Sequence, residues 1–113
     1  MTDRQADLLQ GTLDILVLKA LAGGARHGYG VARWIRETTD DTLQVEEGAL
    51  YPALRRLEKR GLLASGWDVT ETGREAKFYR LTQEGRAELE AALAHWSRYV
   101  SAMGQVLDSG GRA

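Results

Sequence analysis

The stretch GALYPALRRLEKRGL, at positions 48–62, decides the fold. Its apolar leucines recur at steps of four and three, which places them on one face of an amphipathic helix. These are Leu50, Leu54 and Leu57. Gly61 is a typical helix stop, so we predict a helix from about Glu47 to Arg60. Pro52 lies early in it, where its missing amide hydrogen is expected to cost nothing because first-turn amides lack partners.

Two helices are predicted before this stretch. The first begins near Thr12 and stops at Gly23 and Gly24. Its apolar face consists of Leu9, Leu13, Leu16, Val17, Ala20 and Leu21. The second follows a glycine-rich turn at 26–30, and its apolar positions are Val31, Trp34 and Ile35. A polar stretch at 38–41 suits a loop that leads to the third helix.

A β-hairpin and one long helix are predicted after it. Residues with high strand propensity flank a turn at 70–75. They are Leu62, Leu63, Trp67 and Val69 before the turn and Phe78, Tyr79 and Leu81 after it. Thr82 is a typical N-cap, and the helix after it has no breaker between Arg86 and Met103.

Three helices, a hairpin and a final helix are the plan of a winged helix-turn-helix protein. The fold class is therefore predicted to be mainly α with a small β-hairpin. We expect a winged helix-turn-helix DNA-binding domain over residues 1–81, a long C-terminal dimerisation helix over 82–107 and a flexible tail over 108–113.

Composition narrows the classes of function. The chain has 113 residues, 43% apolar and 27% charged, which suits one globular domain. It has no cysteine, which excludes disulfides and thiolate sites, and no apolar run of the length that crosses a bilayer. We expect a cytoplasmic protein that needs no cofactor or metal. The net charge of -1 means that any contact with DNA must be local.

The early residues of the third helix are the candidate DNA contacts, because the recognition helix of such a domain lies in the major groove. They are Gly48, Ala49, Tyr51, Pro52, Arg55 and Arg56. Small residues let the backbone approach the duplex, and arginine bonds guanine or phosphate. On periodicity alone, an ordinary amphipathic helix with a solvated basic face explains the same stretch. Its position directly before the hairpin favours a recognition helix.

Glu46 and Glu47 stand at the start of this helix, where carboxylates repel phosphates. Three roles remain open for them: accepting from a cytosine amino group, capping the helix, or pointing away from DNA.

Residues 48–62 resemble the signature of the PadR family of transcriptional regulators, in which a Leu-Tyr-Pro step opens the recognition helix. Residues 13–18 are similar to the family's first helix, the His-Gly-Tyr-Gly step at 27–30 to its inter-helix turn, and residues 77–82 to its second wing strand. Together these pieces cover residues from about 10 to 82 in the family's order.

The resemblance implies a DNA-binding repressor. It also implies that the groove is faced by Tyr51, Pro52 and Arg55. The wing would approach the phosphate backbone through Arg74 and Lys77. The alternative for the last two is a pair of surface charges that offset nearby glutamates.

The last helix carries apolar side chains at alternating steps of four and three, the heptad spacing of a coiled coil. They are Leu89, Leu93, Trp96, Val100, Met103 and Leu107. Because the domain before it is too small to bury this stripe, we predict a homodimer; packing within the chain is the alternative. The resemblance points the same way, since family members of this length dimerise through one such helix. Two-fold symmetry then predicts an inverted-repeat operator.

Trp96 and Tyr99 are the candidate ligand contacts. Aromatic rings at a symmetric interface can form a flat apolar slot for a small planar aromatic effector. Some short PadR-like regulators resemble multidrug sensors of this kind. The alternative is a tryptophan covered only by the partner chain.

Two functions stay open: a dimeric repressor that binds double-stranded DNA, and a winged-helix adaptor that binds protein. The weak net charge and the two glutamates favour the adaptor slightly, whereas Tyr51-Pro52, Arg55 and Lys77 favour the repressor more. An enzyme is not expected, because no catalytic motif or phosphate-binding loop is present. His27 suits a structural role in a turn, and His95 has no second ligand in sequence reach.

Overall fold

A computed structural model describes residues 11–109. Its elements in chain order are α1 Leu13–Ala22, β1 Arg26–His27, α2 Gly28–Thr38, α3 Glu47–Lys59, β2 Leu63–Val69, β3 Glu75–Leu81 and α4 Gln83–Asp108. The mainly α winged-helix plan is confirmed. The proposed contribution of Leu9 to the first helix, and most of the predicted tail, lie outside the described residues.

The core lies where α1, α2 and α3 meet the base of the sheet. The periodic leucines of α3 are fully buried, as their spacing predicts, and so are Leu21 on α1 and Ile35 on α2. Burial of one such side chain contributes roughly 1.5–3 kcal/mol, so these contacts fix the angle at which α3 lies on the body of the domain.

The sheet has a strand that the sequence analysis missed. β2 and β3 form the predicted hairpin, but β1 pairs with β3 as well, with Arg26 opposite Tyr79 and His27 opposite Phe78. The strand order is β1-β3-β2. The predicted turn at 26–30 is therefore wrong: two of its residues form β1, and the rest begin α2.

His27 explains how a glycine-rich segment starts a helix. Its Nδ1 accepts a hydrogen bond from the backbone N–H of Gly30 at 3.1 Å, which makes it the N-cap of α2. The imidazole also packs edge-on against Phe78 of β3, with 5.1 Å between ring centroids. The structural role expected for His27 is confirmed.

Pro52 lies deeper in α3 than expected. It is the sixth residue of the helix, beyond the first turn, so the expectation that its missing amide hydrogen costs nothing is wrong. A residue at this position donates to the carbonyl four residues earlier, which belongs to Gly48. Proline cannot donate, and in a helix interior it costs about 3 kcal/mol relative to alanine.

The start of α4 is fixed to the junction between α3 and β2. The Thr82 hydroxyl accepts from the N–H of Gly85 at 2.9 Å, which confirms the predicted N-cap, and it donates to the carbonyl of Gly61 at 2.7 Å. The N–H of Thr82 donates to the carbonyl of Leu62 at 3.1 Å. The backbone of Gly85 lies directly against that carbonyl.

Beyond this anchor α4 leaves the body of the domain. Leu89 is its last buried residue, and the helix continues to Asp108. Among residues 11–109, no helix combines the length and the apolar character needed to cross a membrane.

Candidate nucleic-acid interface

An open cleft of about 580 Å³ separates α3 from the wing formed by β2 and β3. The structure brings four of the predicted DNA contacts to its walls, namely Tyr51, Arg55, Arg74 and Lys77. Two further side chains of α2 line it, Tyr29 and Arg33. Helix and wing thus share one partly basic concave surface.

The ring of Tyr51 lies in the space that the missing side chain of Gly28 leaves free. A Cβ atom at position 28 would lie 2.5 Å from Cε1 of the tyrosine ring and 2.8 Å from its hydroxyl oxygen, so the ring occupies the space that a side chain would need. Burial, the negative charge of Glu47 and the neighbouring Tyr79 all raise the pKa of Tyr51. Its hydroxyl is a hydrogen-bond donor at neutral pH, as an ordinary tyrosine hydroxyl is.

Tyr79 supports the wing side of the cleft. Its ring is buried, and burial together with the charge of Glu58 raises its pKa, while Arg55 acts in the opposite sense. The Nζ atom of Lys77 lies 5.9 Å from the centroid of the same ring. This cation–π contact holds the ammonium group at the wall of the cleft.

The structure separates the two adjacent arginines of α3. Arg56 donates to the carboxylate of Asp14 on α1 and does not line the cleft. Arg55 lines the cleft and makes no salt bridge within residues 11–109. The first arginine joins two helices, whereas the charge of the second is available to a ligand.

The other predicted contacts on α3 lie outside the cleft. Gly48, Ala49 and Pro52 are exposed, and the space around the α-carbon of Gly48 is open. Glu46 occupies the N-cap position, but its side chain makes no capping hydrogen bond, which leaves the other two roles open for it. Glu47 is exposed in the first turn.

Sequence reasoning missed Tyr29 and Arg33. Arg33 donates to the carboxylate of Glu37 at 3.0 Å, and this hydrogen bond and the charge of Glu37 raise its pKa. Its position between the buried Val31 and Ile35 of α2 signals an outward side chain. That pattern does not show that the wing folds over towards it.

The apolar stripe of α4 divides into two parts. Leu89 belongs to the core of its own chain, so its assignment to a seam between chains needs correction: only 7% of it is exposed. The remaining seam residues are 37–68% exposed, namely Leu93, Trp96, Val100, Met103 and Leu107. Within residues 11–109 these side chains are only partly covered.

Trp96 and Tyr99 lie beside each other on α4. Their ring centroids are 6.1 Å apart, and the ring planes are inclined at 39°. Both rings are partly exposed in the single chain, at 37% and 50%.

The family model of the PadR-like transcriptional regulators matches residues 17–91, which include α2, α3, the wing and the start of α4. This chain belongs to the PadR-like family. Members of this family regulate transcription and are not enzymes.

Two relatives that are named as transcriptional regulators agree with this assignment. A transcriptional regulator of Mycobacterium tuberculosis is 42% identical over 65 residues, which cover 58% of this chain and 47% of that protein. The negative transcriptional regulator PadR of Bacillus subtilis is 27% identical over 77 residues, which cover 68% of this chain and 42% of that protein. The matched segment spans less than half the length of each.

Solved PadR structures share the fold over most of their length. A PadR family regulator from Clostridium difficile is 32% identical with a TM-score of 0.75, and the match covers 86% of this chain and 99% of that one. One from Eggerthella lenta is 35% identical with a TM-score of 0.75, covering 88% and 85%.

Proposed function

We propose that this PadR-family chain is a homodimeric repressor that binds an inverted-repeat operator in double-stranded DNA. The observation that carries the proposal is the cleft between α3 and the wing, where Arg55 faces Arg74 and Lys77. Their cationic groups make no salt bridge with the described residues. Such cations supply phosphate contacts and bidentate bonds to guanine.

The sign of regulation rests on similarity. The Bacillus subtilis relative is a negative transcriptional regulator, and it shares the segment that contains the proposed DNA contacts. A bound repressor acts by occupying its operator, which requires no further site on the chain.

The apolar stripe of α4 supports a dimer. Five large side chains, from Leu93 to Leu107, project from a helix that has left its own core. Their heptad spacing matches the seam of a coiled coil, and a second copy of α4 supplies the same stripe. Two recognition helices related by a two-fold axis would then reach half-sites about one turn of DNA apart.

The proposal is tested by fluorescence anisotropy with labelled DNA from upstream of the chain's own gene. An excess of unlabelled random DNA is the competitor, and the titration is repeated at several salt concentrations. We expect binding that survives the competitor and weakens with salt, with a logarithmic slope of about -0.9 for each phosphate neutralised. Binding that the competitor abolishes would contradict a sequence-specific repressor.

The same titration addresses the adaptor alternative. A winged-helix protein that binds only protein would show no salt-dependent affinity for the duplex. The uncommitted charge of Arg55, which faces the wing across the cleft, favours the repressor.

A small planar aromatic effector is a second proposal, favoured by the proximity of Trp96 and Tyr99. Two-fold symmetry would bring both pairs of rings to one interface, where a flat ligand could lie between them. Quenching of tryptophan fluorescence by planar aromatic cations tests it, with Trp96→Phe as the matched control. Equal quenching in the two proteins would place the ligand elsewhere.

A further inference from the structure

The exposed side of α3 carries an unusual pair of residues for a helix. Gly48 and Pro52 are four positions apart, so they lie on the same side of the helix, one turn from each other. Both are exposed, and nothing lies within 4 Å of the position that a Cβ of Gly48 would take. Glycine and proline are the two residues least suited to a helix interior.

Together they alter the backbone at one point. The carbonyl of Gly48 would accept from the N–H of residue 52, and proline has none. A proline ring in a helix interior also crowds the carbonyl four residues earlier, which here belongs to Gly48. Gly48 adds no side chain of its own to shield it. The carbonyl of Gly48, an exposed residue, therefore lacks the N–H partner that any residue other than proline would supply at position 52.

Arg55 lies on the same stripe, seven residues after Gly48. Seven residues of α-helix span about 10.5 Å, which is roughly three base-pair steps of DNA. Arg55 lines the cleft, and the seven-residue spacing places Gly48 on the same side of α3, two turns nearer its N-terminus and outside the cleft.

We propose that the backbone carbonyl of Gly48 reads an exocyclic amino group of adenine or cytosine in the major groove. In that groove the amino groups are the hydrogen-bond donors of the base edges, so a lone acceptor on the protein distinguishes them from the O6 of guanine and the O4 of thymine. This inference rests on the proposed function. In it the base is contacted by the main chain, and no side chain takes part in the hydrogen bond.

The test begins with a duplex selected from a random pool by the purified wild-type protein. Pro52→Ala restores the N–H, and we expect it to raise the thermal midpoint while it weakens binding to the selected duplex roughly tenfold. Pro52→Val also restores the N–H but keeps a comparable apolar volume. It separates loss of the carbonyl from loss of a ring contact, because only the former predicts equal weakening in both variants.

A functional-group deletion in the DNA supplies the second arm. Purine replaces adenine, or a pyrimidinone without the 4-amino group replaces cytosine, one position of the half-site at a time. At one position the deletion should weaken wild-type binding roughly tenfold and leave the affinity of Pro52→Ala unchanged. The affinity of each protein for random DNA is measured as well, and its specific binding is expressed relative to that value.

The outcomes separate the two proposals. A wild-type protein that selects no sequence would overturn the proposed function and this inference with it. Specific binding by the wild type, retained in full by Pro52→Ala and Pro52→Val, would overturn the inference alone. So would amino-group deletions that cost the wild type and the variants the same.

Discussion

The ring of Tyr51 on α3 fills the space above Gly28 at the start of α2. The two helices of the helix-turn-helix unit therefore meet through a residue without a side chain. Their separation at this point is set by the thickness of one aromatic ring.

Gly28→Ala should displace the Tyr51 ring and lower the free energy of unfolding by about 1–2 kcal/mol, because overpacking outweighs the better helix propensity of alanine. In a Tyr51→Ala background the same change should be neutral or slightly stabilising, since the ring is gone. Urea denaturation of the four proteins measures this coupling. An equal cost in both backgrounds would show that the ring does not occupy this space.

Gly85→Ala should destabilise the chain by about 3 kcal/mol, because its methyl group would press on the backbone carbonyl of Leu62, which cannot rotate away. The matched control is Gly48→Ala, also a glycine in a helix but with open space around it. That change should leave stability equal or raise it by up to about 1 kcal/mol. Thermal unfolding followed by circular dichroism distinguishes the two.

Leu93→Asp should convert the protein to a monomer and abolish DNA binding, because it places a charge in the exposed apolar stripe of α4. Ala102→Asp introduces the same charge on the same helix, off the heptad seam, and should leave a dimer that binds DNA. Sizing chromatography with light scattering and a gel-shift assay report both properties. A dimeric Leu93→Asp protein would refute the proposed seam.

Arg55→Ala should weaken binding to the selected duplex by about 1–3 kcal/mol if Arg55 forms a bidentate bond to guanine. Arg56→Ala should mainly remove the ion pair with Asp14, at about 0.2–1 kcal/mol of stability, since this pair is partly solvent-exposed. Anisotropy and urea denaturation on both variants separate the two roles. The reverse ranking for DNA affinity would place Arg56 in the interface.

Alkaline pH should destabilise the fold through Tyr51 and Tyr79. Burial raises the pKa of both phenols in the folded chain, so on raising the pH the unfolded chain ionises first and is favoured. The stabilisation that the two protonated phenols give the fold is complete below the pKa of about 10 that tyrosine has in the unfolded chain. It is lost as the pH rises through the higher pKa values of the folded chain. A Tyr51→Phe, Tyr79→Phe double variant should lose less stability between about pH 9 and about pH 11 than the wild type. Equal loss would contradict this origin.

Local patterns predicted most of the helices because their causes lie within a few residues. The α3 leucines repeat with the period of a helix, and the hydroxyl of Thr82 needs only the N–H of Gly85 to cap α4. The strand β1 could not be predicted, since two residues carry no periodicity and their partner strand lies far along the chain.

The different roles of Arg55 and Arg56 could not be predicted from the sequence either. It depends on Asp14, which is 42 positions from Arg56 in sequence. The packing of Tyr51 on Gly28 likewise arises from the crossing of two helices. Spacing alone identified the arginines as candidates, and only their surroundings distinguish them.

The strand β3 joins the wing to two helices of the domain. It pairs with β2 in the wing and with β1 at the entrance to α2, and it runs through Thr82 directly into α4. Because α3 packs against β2, which pairs with β3, the recognition helix is joined to the wing through the sheet. In the proposed dimer the distance between the two recognition helices would then be set by α4. Such a dimer would be selective for the spacing between the two half-sites as well as for their sequence. Inserting one base pair between the two half-sites of the operator should then weaken binding as much as mutating one half-site does.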